Sequence, residues 1–140
     1  MQTDDLINFY QTLTPNTLHR FDDFYSQDAF FKDPFNEVRG VGAIKRIFSK
    51  MFRTLHEPRF VVTDTIRDEQ QMVLVWQFSF RLRRCGKPQS MIVNGVSHLR
   101  CNAEGKVCSH CDYWDAASEL YMQLPVVGNF FRGMQRMLAA

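Results

Sequence analysis

The sequence changes its hydrophobic period once, near Pro58, and this change restricts the fold more than any other feature. Before Pro58, apolar residues recur every three or four positions, as they do on one face of a helix. After Pro58, apolar and polar residues alternate, most clearly in the stretch QMVLVWQFSFRLRR at 71–84. Alternation is typical of a β-strand that has one buried face and one partly wet face. Helices followed by a run of antiparallel strands predict an α+β domain.

The local patterns predict where the helices and strands lie. Helices are expected near 3–13, 15–25 and 40–55, with a last helix after 126. A short first strand is expected in DAFFKDPF, because Pro34 lacks a backbone N–H and turns the chain. Four long strands are expected between 58 and 116 as a strongly curved antiparallel meander. With the N-terminal helices in its concavity, such a sheet forms a cone-shaped pocket, which is a common small-molecule site.

Composition excludes several classes of protein. The net charge is only +2 and no basic stripe is interleaved with aromatic residues, so no nucleic-acid partner is expected. No apolar run approaches the length of about 18 residues that a transmembrane segment needs. The start MQTDDLINFY is acidic where a signal peptide is basic, which predicts a cytoplasmic protein with mostly reduced cysteines. We expect a single domain over 1–140, with 117–140 as a C-terminal helical extension.

The stretch VCSHCDYWD, residues 107–115, resembles a metal or redox motif at first sight. Residues three apart on a strand face opposite sides, so Cys108 and Cys111 cannot hold one ion between them. A redox Cys-x-x-Cys also needs a helix N-terminus, where the thiol pKa is lowered. The prediction is therefore no metal and no other cofactor.

The same stretch is predicted to be the second arm of a hairpin. A two-residue loop centred on Ala103-Glu104 would pair Ser97 with His110, and cross-strand partners share a face. His98 would face away, unless a β-bulge near Gly95 turned it inward. The residues then predicted to share the concave face are Ser97, Cys108, His110, Asp112 and Trp114.

Several short motifs point to a known family. Two helices, Phe-x-Asp-Pro at 31–34, a glycine-led helix and a meander closing on Gly-Lys-Val and Asp-x-Trp-Asp resemble the nuclear transport factor 2-like superfamily. The nearest part is its SnoaL-like and ketosteroid isomerase-like branch, and the resemblance covers about 4–116.

This resemblance implies candidate site residues. The isomerase general base corresponds to Asp33, whereas the isomerase Tyr and Asp donors fall on Phe9 and Ser97, with Tyr10 one step beyond Phe9. SnoaL-like cyclases instead pair an Asp on the last strand with a His on the strand before. The candidates for that pair are Asp112 and His98. From the residues alone, Asp33 could equally cap the turn at Pro34.

Two functions remain open at this stage. One is cofactor-independent proton transfer on an apolar carbonyl compound, as in a cyclase or isomerase, with Asp33 or Asp112 as base and His110, Ser97 or Tyr10 as donors. The other is non-catalytic binding of an apolar ligand or protein partner, with a regulatory or stress-related role. The residues predicted to line the pocket in either case are Phe9, Tyr10, Trp76, Phe78, Phe80 and Trp114.

The predicted convex face and the last helix suggest further contacts. The convex face would carry Gln77, Ser79, Asn94, Val96, His98, Cys111 and Tyr113. This mixture predicts a two-fold homodimer that pairs sheet to sheet. The last helix is expected to pack on the domain or cover the pocket, with Arg132 and Arg136 leaving an interfacial helix as an alternative.

Overall fold

The computed structural model describes residues 2–84, 86–119 and 125–139. The strands are β1 (Tyr25–Lys32), β2 (Glu37–Arg39), β3 (His56–Arg67), β4 (Gln71–Arg84), β5 (Lys87–Cys101) and β6 (Val107–Trp114). The helices are α1 (Thr3–Gln11), α2 (Phe21–Phe24), α3 (Val41–Thr54), α4 (Ala116–Glu119) and α5 (Pro125–Leu138), with a 3₁₀ helix at Pro15–Arg20.

The six strands form one curled, unclosed sheet in the order β2-β1-β6-β5-β4-β3. The meander β3 to β6 is antiparallel as predicted, and β1 pairs with β6 in parallel. The N-terminal helices cover one face of the sheet, which confirms the predicted α+β architecture.

The core follows the alternation of β4. Met72, Leu74, Trp76 and Phe80 are at most 6% exposed, and they meet buried residues of the helices. The helical residues buried in this core include Leu6, Phe9, Ile44 and Phe48. The change of period therefore identified both layers of the domain correctly.

Three local boundaries differ from the prediction. The predicted helix 15–25 divides into a 3₁₀ helix and one α-turn, because Tyr25 is already extended and begins β1. The short strand β2 was not predicted. Strand β3 starts at His56 and so includes Pro58, which is tolerated because β3 is an edge strand of the sheet.

The turn between β5 and β6 is longer than predicted. Asn102 organises it, since its side-chain oxygen accepts hydrogen bonds from the backbone N–H groups of Glu104 and Lys106. Gly105 follows with φ of 78°, in the left-handed region. Cys101 pairs with Val107 rather than with Lys106, so the turn takes one residue more than the prediction allowed.

A register shift next to this turn adds a second residue, so that Ser97 pairs with Asp112 and not with His110. The predicted register was wrong by two residues, and a shift of two returns every side chain beyond the irregularity to its predicted face. This argument does not apply to Cys108, because Cys108 lies within the irregularity itself. Val107 is fully buried, whereas the Cys108 thiol contacts the Arg100 carbonyl oxygen at 3.4 Å.

Two observations concern the C-terminal part. The last helix, expected after 126, begins at Pro125, and residues 120–124 lie outside the described part of the chain. Within the part of the chain that the structure describes, no helix is both long and apolar enough to span a membrane.

Candidate functional site

The concave side of the sheet encloses a small, mostly apolar cavity. Its volume is about 20 Å³, which is room for about one water molecule. Asp112 is the only carboxylate residue in its lining, and the described lining contains no Lys or Arg. The lining residues are Tyr10, Phe48, Phe60, Val62, Leu74, Trp76, Ser97, His110 and Asp112.

Strand β6 supplies the acid–base pair of this cavity. His110 and Asp112 are two residues apart, so the strand directs both side chains to the same face. The His110 Nε2 atom lies 2.6 Å from Asp112 Oδ1, and the side chains are 4% and 15% exposed. A carboxylate this deeply placed needs hydrogen-bond donors in place of water.

Ser97 and Trp76 provide a second series of donors. Ser97 lies opposite Asp112 on β5, and its Oγ is 2.5 Å from Asp112 Oδ1. The Trp76 indole N–H donates to the same Oγ at 2.8 Å. Because an indole nitrogen can only donate, the hydroxyl proton of Ser97 is left to donate to Asp112.

Two buried tyrosines complete the network on the other side of His110. The Tyr25 hydroxyl lies 2.6 Å from His110 Nδ1, and the Tyr10 hydroxyl lies 2.5 Å from that of Tyr25. Burial raises the pKa of both phenols well above the usual value, so both stay protonated and can donate.

These contacts are all satisfied by one assignment of protons. Tyr10 donates to Tyr25, Tyr25 donates to His110 Nδ1, and the neutral imidazole donates from Nε2 to Asp112. Two series of hydrogen bonds therefore end at Asp112 Oδ1. Among the described residues nothing donates to Asp112 Oδ2, so this oxygen is available for a ligand.

This assignment predicts different effects of removing each phenol. Tyr25→Phe leaves the buried His110 Nδ1 without a donor, and we expect a loss of about 1–3 kcal/mol in the free energy of unfolding. Tyr10→Phe keeps that donor and should cost about 1 kcal/mol or less. Chemical denaturation measures both losses, and nitrogen NMR of the wild-type imidazole should show a protonated Nε2 and an unprotonated Nδ1. Equal losses, or a proton on Nδ1, would contradict the assignment.

Asp33 lies outside this cavity. Its Oδ1 accepts hydrogen bonds from the backbone N–H groups of Phe35 at 2.8 Å and Asn36 at 2.6 Å, so the carboxylate stabilises the turn that Pro34 begins. Asp33 and Asp112 both line a separate outer groove of about 430 Å³. The predicted convergence of the two carboxylates inside one cavity was therefore wrong. The backbone N–H groups of the turn at Pro34 hold the Asp33 carboxylate outside the cavity.

His98 also lies away from the cavity. The pairing of β4 with β5 is unbroken from Gln71 to Arg84, so no bulge near Gly95 turns His98 inward. Its Nε2 contacts the Gln71 side chain at 2.9 Å instead. The histidine beside Asp112 is His110, on the same strand.

Four predicted wall residues are placed elsewhere. Phe9 packs within the helical layer, with ring centroids 4.9 Å from Phe21 and 4.8 Å from Phe24. Phe78 and Phe80 lie further along β4, and the centroids of their rings are 5.1 Å apart. Trp114 lines the outer groove and does not reach the cavity.

Sequence reasoning missed Tyr25 and most of the apolar wall. Tyr25 falls within the helix predicted near 15–25, and no local signal shows that it begins a strand and contacts His110. Phe48, Phe60, Val62 and Leu74 lie in segments that were predicted only as a helix or as strands, because a lining position and a core position have the same pattern.

Comparison with known proteins agrees with this architecture. The sequence model of the SnoaL-like domain matches residues 6–110. Among curated proteins, none shows a significant match to this sequence.

Solved structures share the fold at low identity. A ketosteroid isomerase-like protein from Catenulispora acidiphila, solved with trimethylamine, is 17% identical with a TM-score of 0.67 over 81% of this chain and 85% of that chain. A proposed SnoaL-like polyketide cyclase from Jannaschia sp. CCS1 is 12% identical with a TM-score of 0.69 over 82% and 85%. A proposed SnoaL-like isomerase from Agrobacterium tumefaciens is 12% identical with a TM-score of 0.64 over 80% and 92%. Because the family model matches residues 6–110, most of the sequence, this chain belongs to the SnoaL-like domain family.

Proposed function

We propose that this protein performs cofactor-independent proton transfer on a small apolar carbonyl compound, with Asp112 as the general base. The observation that carries the proposal is the convergence of two series of hydrogen bonds on one oxygen of a carboxylate in an apolar cavity. Ser97 and His110 hold Asp112 in a fixed orientation and leave its Oδ2 for a proton. A positioned carboxylate can remove a proton alpha to a carbonyl group without a metal.

The donors of the site suggest which carbonyl compounds fit. Tyr10, Ser97 and His110 all direct their protons to other protein groups. Little donor capacity therefore remains for the oxygen of a developing enolate. This favours substrates that delocalise the charge themselves, such as 1,3-dicarbonyl compounds, as would suit a cyclase. The apolar walls formed by Phe48, Phe60 and Leu74 would hold the rest of the molecule.

Substrate binding requires the cavity to widen. Its volume of about 20 Å³ is far below the range of about 300–1,000 Å³ that is usual for ligand sites. Phe60 is half-buried on the edge strand β3, where its ring stacks on Phe78 at a centroid distance of 4.4 Å and meets Trp76 edge to face at 5.7 Å, so its movement must break these two contacts. We propose that this movement admits the substrate.

Isotope exchange tests the function without knowledge of the natural substrate. A panel of 1,3-dicarbonyl compounds and simple ketones is incubated with the protein in deuterated water, and proton NMR follows the loss of alpha protons. We expect exchange to be faster than in a buffer that contains the same concentration of acetate. No acceleration for any compound would overturn the catalytic proposal.

The second candidate function is non-catalytic binding. The mutual pairing of the buried polar groups and the small cavity favour it, because a buried hydrogen-bonded network can serve stability alone. Native mass spectrometry of protein purified from its host would then detect a bound apolar compound, while the exchange assay shows no acceleration.

We also propose that the convex face of the sheet forms a homodimer. Val61, Ile92 and Tyr113 are 41%, 55% and 62% exposed on this face, so three large apolar or aromatic side chains face water unless a partner covers them. Tyr113→Glu should shift the protein toward a 16.5 kDa monomer in sedimentation at micromolar concentration. Gln2→Glu adds a similar charge at the exposed residue that precedes α1 and should have no effect. A monomeric wild-type protein would contradict the proposal.

A further inference from the structure

Strand β3 differs from the other strands that line the cavity, because it lies at an edge of the sheet. In the described sheet β4, β5 and β6 are each paired on both sides, whereas β3 pairs only with β4. β3 supplies Phe60 and Val62 to the cavity wall. This part of the wall can therefore move without separating a strand from neighbours on both sides.

Two irregularities enclose the lining part of β3. Between His56 and Arg59, and again between Val62 and Asp64, β3 contains one residue more than β4 opposite it. At the first irregularity Glu57 has φ of 52°, a left-handed conformation that is uncommon for a residue with a side chain. Extra residues of this kind interrupt the ladder and bend the strand. The four residues between the two irregularities therefore form a short regular piece between two bends.

A side chain of α1 holds this piece in place. An edge strand presents backbone N–H groups that no second strand accepts. The Val62 N–H donates instead to Oε1 of Gln11, the last residue of α1, at 2.9 Å. Tyr10, the residue before Gln11, also lines the cavity. This hydrogen bond therefore joins two sides of the cavity wall, and it lies at the protein surface.

From these observations we propose that residues 59–62 are a gate to the cavity and that Gln11 is the latch that holds the gate closed. When the gate opens, the Val62 N–H exchanges Gln11 for water, Phe60 leaves its aromatic neighbours, and the two bends absorb the change in strand direction. The gate supplies the widening that substrate binding requires, and it rests on the proposed function only in that a small apolar carbonyl compound is what enters.

The latch has a measurable effect on affinity. A ligand that binds only the open state has its apparent affinity reduced in proportion to the open fraction. Loss of one hydrogen bond from the closed state should raise the open fraction, and so lower the apparent dissociation constant, about 2- to 10-fold. A hydrogen bond that served stability alone would give no gain in affinity when it was removed.

Titration of the full chain with cyclohexanone, followed by the indole N–H signals in proton–nitrogen NMR, tests the proposal. Of the two tryptophans in the sequence, Trp76 lines the cavity and Trp114 lines the outer groove, so the two signals show which place the ketone enters. We expect cyclohexanone to shift the Trp76 signal and to bind Gln11→Ala about 2- to 10-fold more tightly than the wild type. Gln11→Glu keeps an acceptor for the Val62 N–H and should bind as the wild type does.

Gln71→Ala is the matched control. It also removes one hydrogen bond made by an exposed glutamine, in this case to His98, away from the cavity. We expect it to leave the affinity for cyclohexanone unchanged.

Two results would overturn the proposal. One is an affinity of Gln11→Ala equal to that of the wild type, and the other is a Trp76 signal that cyclohexanone shifts in none of these proteins. Failure of the catalytic proposal gives a different result. Alpha-proton exchange would then be absent, although Gln11→Ala still bound cyclohexanone more tightly.

Discussion

Asp112→Asn is expected to lower the rate of alpha-proton exchange by roughly two to four orders of magnitude, the usual range for the loss of an acid–base group. The amide keeps the shape of the carboxylate, and its oxygen can still accept from Ser97 and His110. It cannot take up the proton of the substrate. Exchange rates in deuterated water measure the effect, and circular dichroism checks that the fold is kept. An unchanged rate in a folded variant would exclude Asp112 as the base.

Asp33→Asn is the matched control for this substitution. It makes the same chemical change in a carboxylate that the structure places in a turn, where Phe35 and Asn36 donate to it. We expect the exchange rate to be kept and the free energy of unfolding to fall by roughly 0.5–1.5 kcal/mol. If Asp33→Asn removed exchange and Asp112→Asn did not, the base would be at the position that the isomerase resemblance implies.

The same pair separates the two candidate functions. In a non-catalytic binding protein there is no turnover to lose, and Asp112→Asn should change affinity by at most about 3 kcal/mol, the value of a hydrogen bond to a charged group. A ligand that bound through the outer groove would instead respond to both substitutions, since Asp33 and Asp112 both line it.

The sequence predicted the face of each site residue more reliably than its partner. Alternation has a period of two, so it placed Ser97, His110 and Asp112 on one face even though the register was wrong by two residues. The error arose because Asn102 and Gly105 build a longer turn than the two-residue loop that we expected, and a register shift follows it. Turn and bulge geometry depend on local hydrogen bonds that alternation does not report.

Other parts of the site depend on contacts between distant segments. Tyr25 reaches His110 because β1 lies parallel to β6, and their hydrogen bond joins residues 85 positions apart. Nothing near Tyr25 in the sequence indicates this neighbour. The family resemblance placed a base at Asp33 because Asp-Pro matched, but it could not show that the turn engages the carboxylate. Cavity size depends on side-chain packing throughout the core, so sequence pattern could not predict it.

Gly95 is the position where a single methyl group should disturb this site most. It lies opposite Trp76 in the pairing of β4 with β5, and the indole ring covers it. A Cβ at this position would lie 2.3 Å from Cη2 of Trp76, which is far inside van der Waals contact. The ring is rigid and its N–H is bonded to Ser97, so the indole must move and that hydrogen bond must break.

We therefore expect Gly95→Ala to lower the free energy of unfolding by about 2–4 kcal/mol, from the steric displacement together with the lost hydrogen bond. Gly42→Ala is the control, and we expect it to change the free energy of unfolding in the opposite direction. Gly42 lies in α3, where a Cβ would meet only the end of the flexible Arg46 side chain at 3.7 Å, so alanine should stabilise the protein by about 0.4–1 kcal/mol. Chemical denaturation measures both changes, and tryptophan fluorescence of Gly95→Ala should shift as the indole leaves Ser97. A Gly95→Ala protein with wild-type stability and fluorescence would show that the contact between Trp76 and Gly95 is not as close as the structure has it, and the orientation of Ser97 toward Asp112 would then lack its support.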